Sequence, residues 1–166
     1  IEAITVISVA GDKAQLLSEP IKLKRRPKTS IDGKYSIPFT AAVMMVKGNV
    51  TLYDYTDDGL RDPAVLAMAD KISYRALLPE PGMEAAEANP TVEIRTKDGR
   101  VFVRQTDSVP GDPKSPVSQA LLETKFRDCV SFSAKPIAAG NIDRAIEMIR
   151  NLENVDDATE IIRLLA

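Results

Sequence analysis

Thr91-Val92-Glu93-Ile94-Arg95-Thr96-Lys97-Asp98-Gly99-Arg100-Val101-Phe102-Val103-Arg104-Gln105-Thr106 is the stretch that decides the class of fold. In its first arm, residues 91–96, Val92 and Ile94 alternate with polar or charged neighbours; the second arm covers 100–106. Alternation at period two marks a strand with one buried face. Between the arms, Asp98-Gly99 offers the left-handed backbone that a tight reversal needs. The stretch therefore predicts an antiparallel hairpin.

Upstream of the hairpin, residues 79–90 carry three prolines and a glycine and read as a loop, and 72–78 alternate weakly and read as a strand. Asp62-Pro63 supplies a cap and a first-turn proline for a helix to about residue 71. Residues 51–57 read as a single turn. Ser36-Ile37-Pro38 opens a helix over 37–47 that Gly48 ends. That helix is apolar on every face, which predicts burial all round. Residues 20–34 are polar and aperiodic and read as an extended loop. Before them come a short helix to residue 17 capped by Asp12, and a β-branched strand over Ala3 to Val9.

Downstream, Ser115-Pro116 starts a helix with Val117, Leu121, Leu122, Phe126, Cys129 and Val130 on one side, which predicts a core Phe126 and a buried thiol. Asn141 is expected to cap an amphipathic helix carrying Ile142, Ala145, Ile146, Ile149 and Leu152, and Asp156-Asp157 to start a last short helix. Mixed strands and helices with a local hairpin indicate an α+β fold: a small antiparallel or mixed sheet with helices packed against it, one of them the fully buried helix 37–47. At 166 residues the chain suits one packed domain over 1–166.

Composition removes several chemistries. The chain has no His, so a Ser-His-Asp or Cys-His arrangement is excluded, as is a His-based zinc or iron site. A single cysteine, Cys129, permits no disulfide framework, and a reducing, cytoplasmic setting is expected. No apolar run reaches membrane-spanning length. Asp54-Tyr55-Thr56-Asp57-Asp58-Gly59 begins like a calcium loop but has Thr56 at position three and Val65 at position twelve, where a bidentate Glu is required. No phosphate-binding glycine pattern occurs. Neither a metal nor a cofactor is expected. The first residue, Ile1, is expected of a fragment cut from a longer protein.

The net charge of −2 hides one basic segment. Residues 22–34 hold Lys22, Lys24, Arg25, Arg26, Lys28 and Lys34 against Asp32 alone. An acidic body with one basic loop lacks the broad basic face and stacking aromatics of a nucleic-acid binder. The segment leads into the start of helix 37–47, where backbone N–H groups beside cations suit a carboxylate or phosphate.

Lys34-Tyr35-Ser36-Ile37-Pro38-Phe39, Val50-Thr51-Leu52-Tyr53-Asp54-Tyr55, Asp62-Pro63-Ala64-Val65, the Thr96-Lys97-Asp98-Gly99-Arg100 turn, Pro110-Gly111-Asp112-Pro113-Lys114-Ser115-Pro116-Val117-Ser118 and Lys125-Phe126 together resemble the second half of the MmgE/PrpD family. That family includes 2-methylcitrate dehydratase, cis-aconitate decarboxylase and iminodisuccinate epimerase. The resemblance covers nearly the whole chain and matches only the smaller, C-terminal α+β domain of a two-domain protein.

It implies a larger N-terminal helical domain in the same polypeptide, carrying most catalytic groups, with a cofactor-free active site in the cleft between the domains. It further implies a homodimeric full-length protein and a small di- or tricarboxylate substrate. Lys34 and Ser36 match positions where the family carries a basic residue and Ser; Phe39 stands where relatives acting on tricarboxylates carry Tyr. Substrate contacts are expected from Lys34, Ser36, Arg26 and Phe39, and no catalytic group is identified in this chain. The implied reaction is dehydration of a 2-methylcitrate-like hydroxy-tricarboxylate, with decarboxylase or epimerase chemistry as the alternative; a non-catalytic interaction module using helix 37–47 as a dimer contact is the rival class.

Overall fold

The computed structural model describes residues 1–9, 11, 13–78, 90–105 and 108–166. The expected cap Asp12 and most of the expected loop 79–90 lie outside these residues. The described chain is an α+β fold that divides into two compact units, Ile1–Lys114 and Ser115–Ala166, where one packed unit is expected. The Pro/Gly-rich residues 109–116 contain the division.

The first unit is built on a four-stranded mixed sheet of order β2-β1-β3-β4, with β1 Ala3–Val9, β2 Ile72–Leu77, β3 Thr91–Arg95 and β4 Val101–Gln105. β1 runs parallel to β2 and antiparallel to β3. Ile4 sits between Ile72 and Ile94, and Val6 between Tyr74 and Val92, so one face of three strands is apolar. Ile7 and Val9, on the opposite face of β1, are buried too. A central strand covered on both sides accounts for the β-branched run in which no polar face can be picked out.

The expected hairpin forms, pairing Thr91 with Gln105 and Arg95 with Val101. Its turn corrects one detail. Only Gly99 takes the left-handed conformation, at φ 83°. Asp98 serves instead through its carboxylate, which accepts from Arg100 Nε at 2.7 Å and from the Thr96 hydroxyl.

Among the described residues this unit also holds five α-helices: α1 Lys13–Ser18, α2 Ile21–Arg25, α3 Ser30–Lys34, α4 Ile37–Lys47 and α5 Pro63–Ala69. α4 begins and ends as read. Ser36 Oγ accepts from Phe39 N at 3.1 Å, Pro38 lies in the first turn, and Gly48 closes the helix at φ 75°. The expectation of burial all round fails. Phe39, Ala42 and Val43 pack into the core with Leu60, Val65, Ala69 and Ile72, while Met44, Met45 and Val46 of the last turn are exposed. Only the i, i+3, i+4 stripe of the helix meets the sheet, and a uniform apolar composition cannot say where that stripe stops.

Residues 20–34 are not an extended loop but contain α2 and α3. Helices of five residues are too short to show a period, yet α3 announces itself in one way. Thr29 Oγ1 accepts from Asp32 N and Asp32 Oδ2 accepts from Thr29 N, a reciprocal capping pair at T-x-x-D spacing.

The second unit holds α6 Gln119–Ser131, α7 Ala139–Arg150 and α8 Thr159–Leu164. α6 starts at the cap Ser118 rather than at Ser115-Pro116. Cys129 is exposed and Phe126 only half-buried, so neither the buried thiol nor the core phenylalanine holds. α7 starts before Asn141, whose amide donates to Leu164 O at 3.2 Å. Ala145 and Ile146 of α7 are buried. Ion pairs Arg127–Asp143, Arg144–Glu160 and Arg150–Glu123 join the three helices along exposed faces.

Candidate functional site

Helix α4 organises the site through its two ends. At its start, the Ser36 hydroxyl is buried and engaged both ways: it donates to Lys24 O at 2.5 Å while accepting from Phe39 N. Thr40 N donates to Ser36 O, and Pro38 has no N–H. Most of the first-turn donors expected to face an anion are therefore taken up by the helix's own cap.

Lys34 is the last residue of α3. Its Nζ lies 6.0 Å from the centroid of the Tyr55 ring. Tyr55 ends the 3-10 turn Leu52–Tyr55, and its hydroxyl meets Thr40 Oγ1 at 3.1 Å. Phe39 is completely buried, its ring tilted against Tyr55 at a centroid separation of 6.3 Å. Lys34, Ser36 and Thr40 line a shallow groove of about 340 Å³ whose remaining wall is apolar.

Arg26 lies elsewhere. It pairs with Asp70 at 2.5 Å and lines a second concavity, of about 490 Å³, with Lys24, Lys28 and Tyr35. The four residues expected to form one site thus fall into three settings: Lys34 and Ser36 along one groove, Arg26 in another cleft, and Phe39 in the core. Lys24 is held by Tyr35 O at 2.5 Å and Arg25 Nε by Ile72 O at 2.7 Å, so part of the basic segment serves to fasten α2. Thr40 and Tyr55 enter the site without being foreseen. Nothing in the spacing between residues 40 and 55 marks them, because their meeting depends on how the 3-10 turn folds back over α4.

At the far end of α4 stands a closed network. Lys47 Nζ lies 2.7 Å from Asp54 Oδ1 and 3.2 Å from Asp62 Oδ2. Asp54 is buried and also accepts from Thr51 N at 2.8 Å and Thr51 Oγ1 at 3.0 Å. Burial works to raise the Asp54 carboxyl, but the Lys47 ammonium and the Thr51 donors outweigh it and hold it below the ordinary carboxylate range. Asp62, the cap of α5, is lowered in the same way against a burial penalty. Lys47 is raised, first by its bond to Asp54. Gly59 lets the turn close beneath this network: a Cβ there would sit 2.3 Å from Tyr53 O.

Among the described residues no group of three or more His, Cys, Asp or Glu is arranged to hold a metal, and no helix is long and apolar enough to cross a membrane.

Comparison with known proteins supplies the relationship. Residues 2–154 match the MmgE/PrpD C-terminal domain. The chain is 25% identical over 142 residues to the human (Homo sapiens) cis-aconitate decarboxylase and 24% identical over 147 residues to the mouse (Mus musculus) protein of the same name. Each alignment covers 84% of this chain, which spans only 28% of the length of these relatives. With a mixed sheet, the predicted hairpin and a family match over nearly all its length, the chain belongs to the MmgE/PrpD family, as its C-terminal domain.

Proposed function

We propose that this domain forms the carboxylate-holding wall of an MmgE/PrpD-type lyase whose catalytic groups belong to an N-terminal helical domain of the same polypeptide. The leading reaction is loss of water from a 2-methylcitrate-like hydroxy-tricarboxylate. That chemistry needs a base for the proton next to a carboxylate, an acid for the departing hydroxyl, and cations to hold the carboxylates. This domain is assigned the last task. The observation that carries the assignment is the groove beside the start of α4, where an exposed ammonium, Lys34, stands over a half-buried phenol with an apolar floor alongside.

Within the groove, Lys34 is the direct contact, and Ser36 acts by fixing the helix start from which Thr40 projects. Arg26, already paired with Asp70, contributes positive potential rather than a contact. Phe39 acts from the core, as packing against the Tyr55 ring. Decarboxylation is the second reading, favoured by the names of the two relatives, and it makes the same demand for a held carboxylate.

The test uses the full-length protein supplied with 2-methylcitrate and with cis-aconitate, following water loss and carbon dioxide release. Lys34→Ala is expected to raise KM for the turned-over acid about tenfold while kcat changes less, the pattern of lost ground-state and transition-state binding together. Unchanged kinetics would remove Lys34 from the site. The domain alone is expected to turn over neither acid; turnover by the fragment would relocate the catalytic groups to this chain. The full-length protein is expected to be a cytoplasmic homodimer, which sedimentation and fractionation check. A protein that binds no di- or tricarboxylate would return the domain to the interaction-module class.

A further inference from the structure

Tyr55 is held more firmly than a surface tyrosine. Its ring lies against Phe39 on one side, and Gly33 of α3 approaches it closely: a Cβ at Gly33 would fall 3.1 Å from Tyr55 Cδ1 and 2.9 Å from Leu60 Cδ2. The glycine is not there for its backbone, since no positive φ is involved. It leaves the space that lets the ring come down onto α3. The phenol is thereby fixed with its hydroxyl against Thr40 and its ring beneath the Lys34 ammonium, and both Thr40 and Lys34 line the groove.

The hydroxyl's partner is Thr40 Oγ1 at 3.1 Å, and either oxygen can be the donor. Thr40 has one other acceptor near it, Gly33 O, at the outer limit of 3.5 Å. When Thr40 donates to Tyr55, the phenolic O–H has no obligation and can turn to an incoming acceptor. Lys34 can only donate, and an ionised carboxylate can only accept. An ammonium over the ring and a phenolic O–H behind Thr40 suit an anionic acceptor such as a carboxylate, and the lining of Leu17, Ile37, Ala41, Met44 and Val50 suits a carbon body behind it.

We infer that Tyr55 is a specificity-determining hydrogen-bond donor to the carboxylate seated on Lys34, held in place by Thr40. The inference rests on the carboxylate-holding role given to Lys34 and adds a second, uncharged contact to it.

Titration calorimetry on the full-length protein with tricarballylate, a tricarboxylate with no hydroxyl to lose, separates the two. Tyr55→Phe keeps the ring and is expected to raise Kd about tenfold, the size expected of one lost bond to a charged group. Thr40→Val removes the donor to the phenolic oxygen but leaves the phenolic O–H in place, and is expected to change Kd by less than about threefold. Melting temperatures of both variants are expected to stay close to that of the parent. If Lys34→Ala weakens binding and Tyr55→Phe does not, the inference falls while the carboxylate role stands. If Lys34→Ala leaves Kd unchanged, both fall together. If Tyr55→Phe and Thr40→Val weaken binding equally, the hydroxyl pair is only structural and the inference is wrong.

Discussion

The two ends of α4 use charge in opposite ways. At the Lys47 end the ammonium pairs with two carboxylates, and Asp54, buried beneath it, has three contacts, to that ammonium and to Thr51 N and Oγ1, shared between its two oxygens. At the Lys34 end the ammonium faces a π-system and an open groove. A closed network of this kind contributes to stability and offers a ligand nothing. An open cation beside a fixed hydroxyl contributes little to stability and keeps its binding capacity for a partner. The difference teaches that the basic segment is not uniform: the proposed site is the part around Lys34, whose ammonium lies over a ring and beside a groove rather than between carboxylates.

The contrast is broken most forcefully at the closed end. Asp54→Asn leaves Lys47 with Asp62 alone above a buried amide, and is expected to cost about 3 kcal/mol in denaturant unfolding. The same residue sets an acid limit. Because the Asp54 and Asp62 carboxyls are lowered in the fold, their contribution is present above the ordinary carboxylate value near 3.8 and is lost as pH falls through their depressed values. Lys47, raised in the fold, contributes throughout that range and loses its part only as pH climbs past its ordinary value of 10.5. Stability should therefore be flat near neutrality and fall on acidification, with the fall shallower in Asp54→Asn; an unchanged acid limb would show that the network is idle.

Ser36→Ala is a smaller insult at the open end. It removes the cap of α4 and the bond to Lys24 O, and about 1–2 kcal/mol is expected. Smallest of all in stability is Lys34→Ala, expected within about 0.5 kcal/mol of the parent. A larger loss would make Lys34 another structural cation and erase the distinction between the two ends.

Much of the fold is legible in the sequence, and the failures share a physical cause. The hairpin, the caps Ser36 and Asp62 and the closing Gly48 are local signals, and each acts where it is read. Burial is a property of neighbours. The last turn of α4 is as apolar as the first yet exposed, and Cys129, on the apolar side of α6, is exposed beside a half-buried Phe126. The site divides along the same line. Lys34 and Ser36 stand within three residues of the start of α4 and come together; Arg26 is drawn away by Asp70, which is distant in sequence and close in space. Tyr55 is invisible beforehand because its role depends on the space above Gly33.

The central claim is that the Lys34 end of α4 is an open carboxylate site, and thermal unfolding of the full-length protein with and without tricarballylate tests it most directly. A ligand that binds only the folded state raises the melting temperature in proportion to its occupancy. The account predicts a clear upward shift for the parent and little or none for Lys34→Ala, with the two proteins melting together when no tricarboxylate is present. An equal shift in both would contradict it.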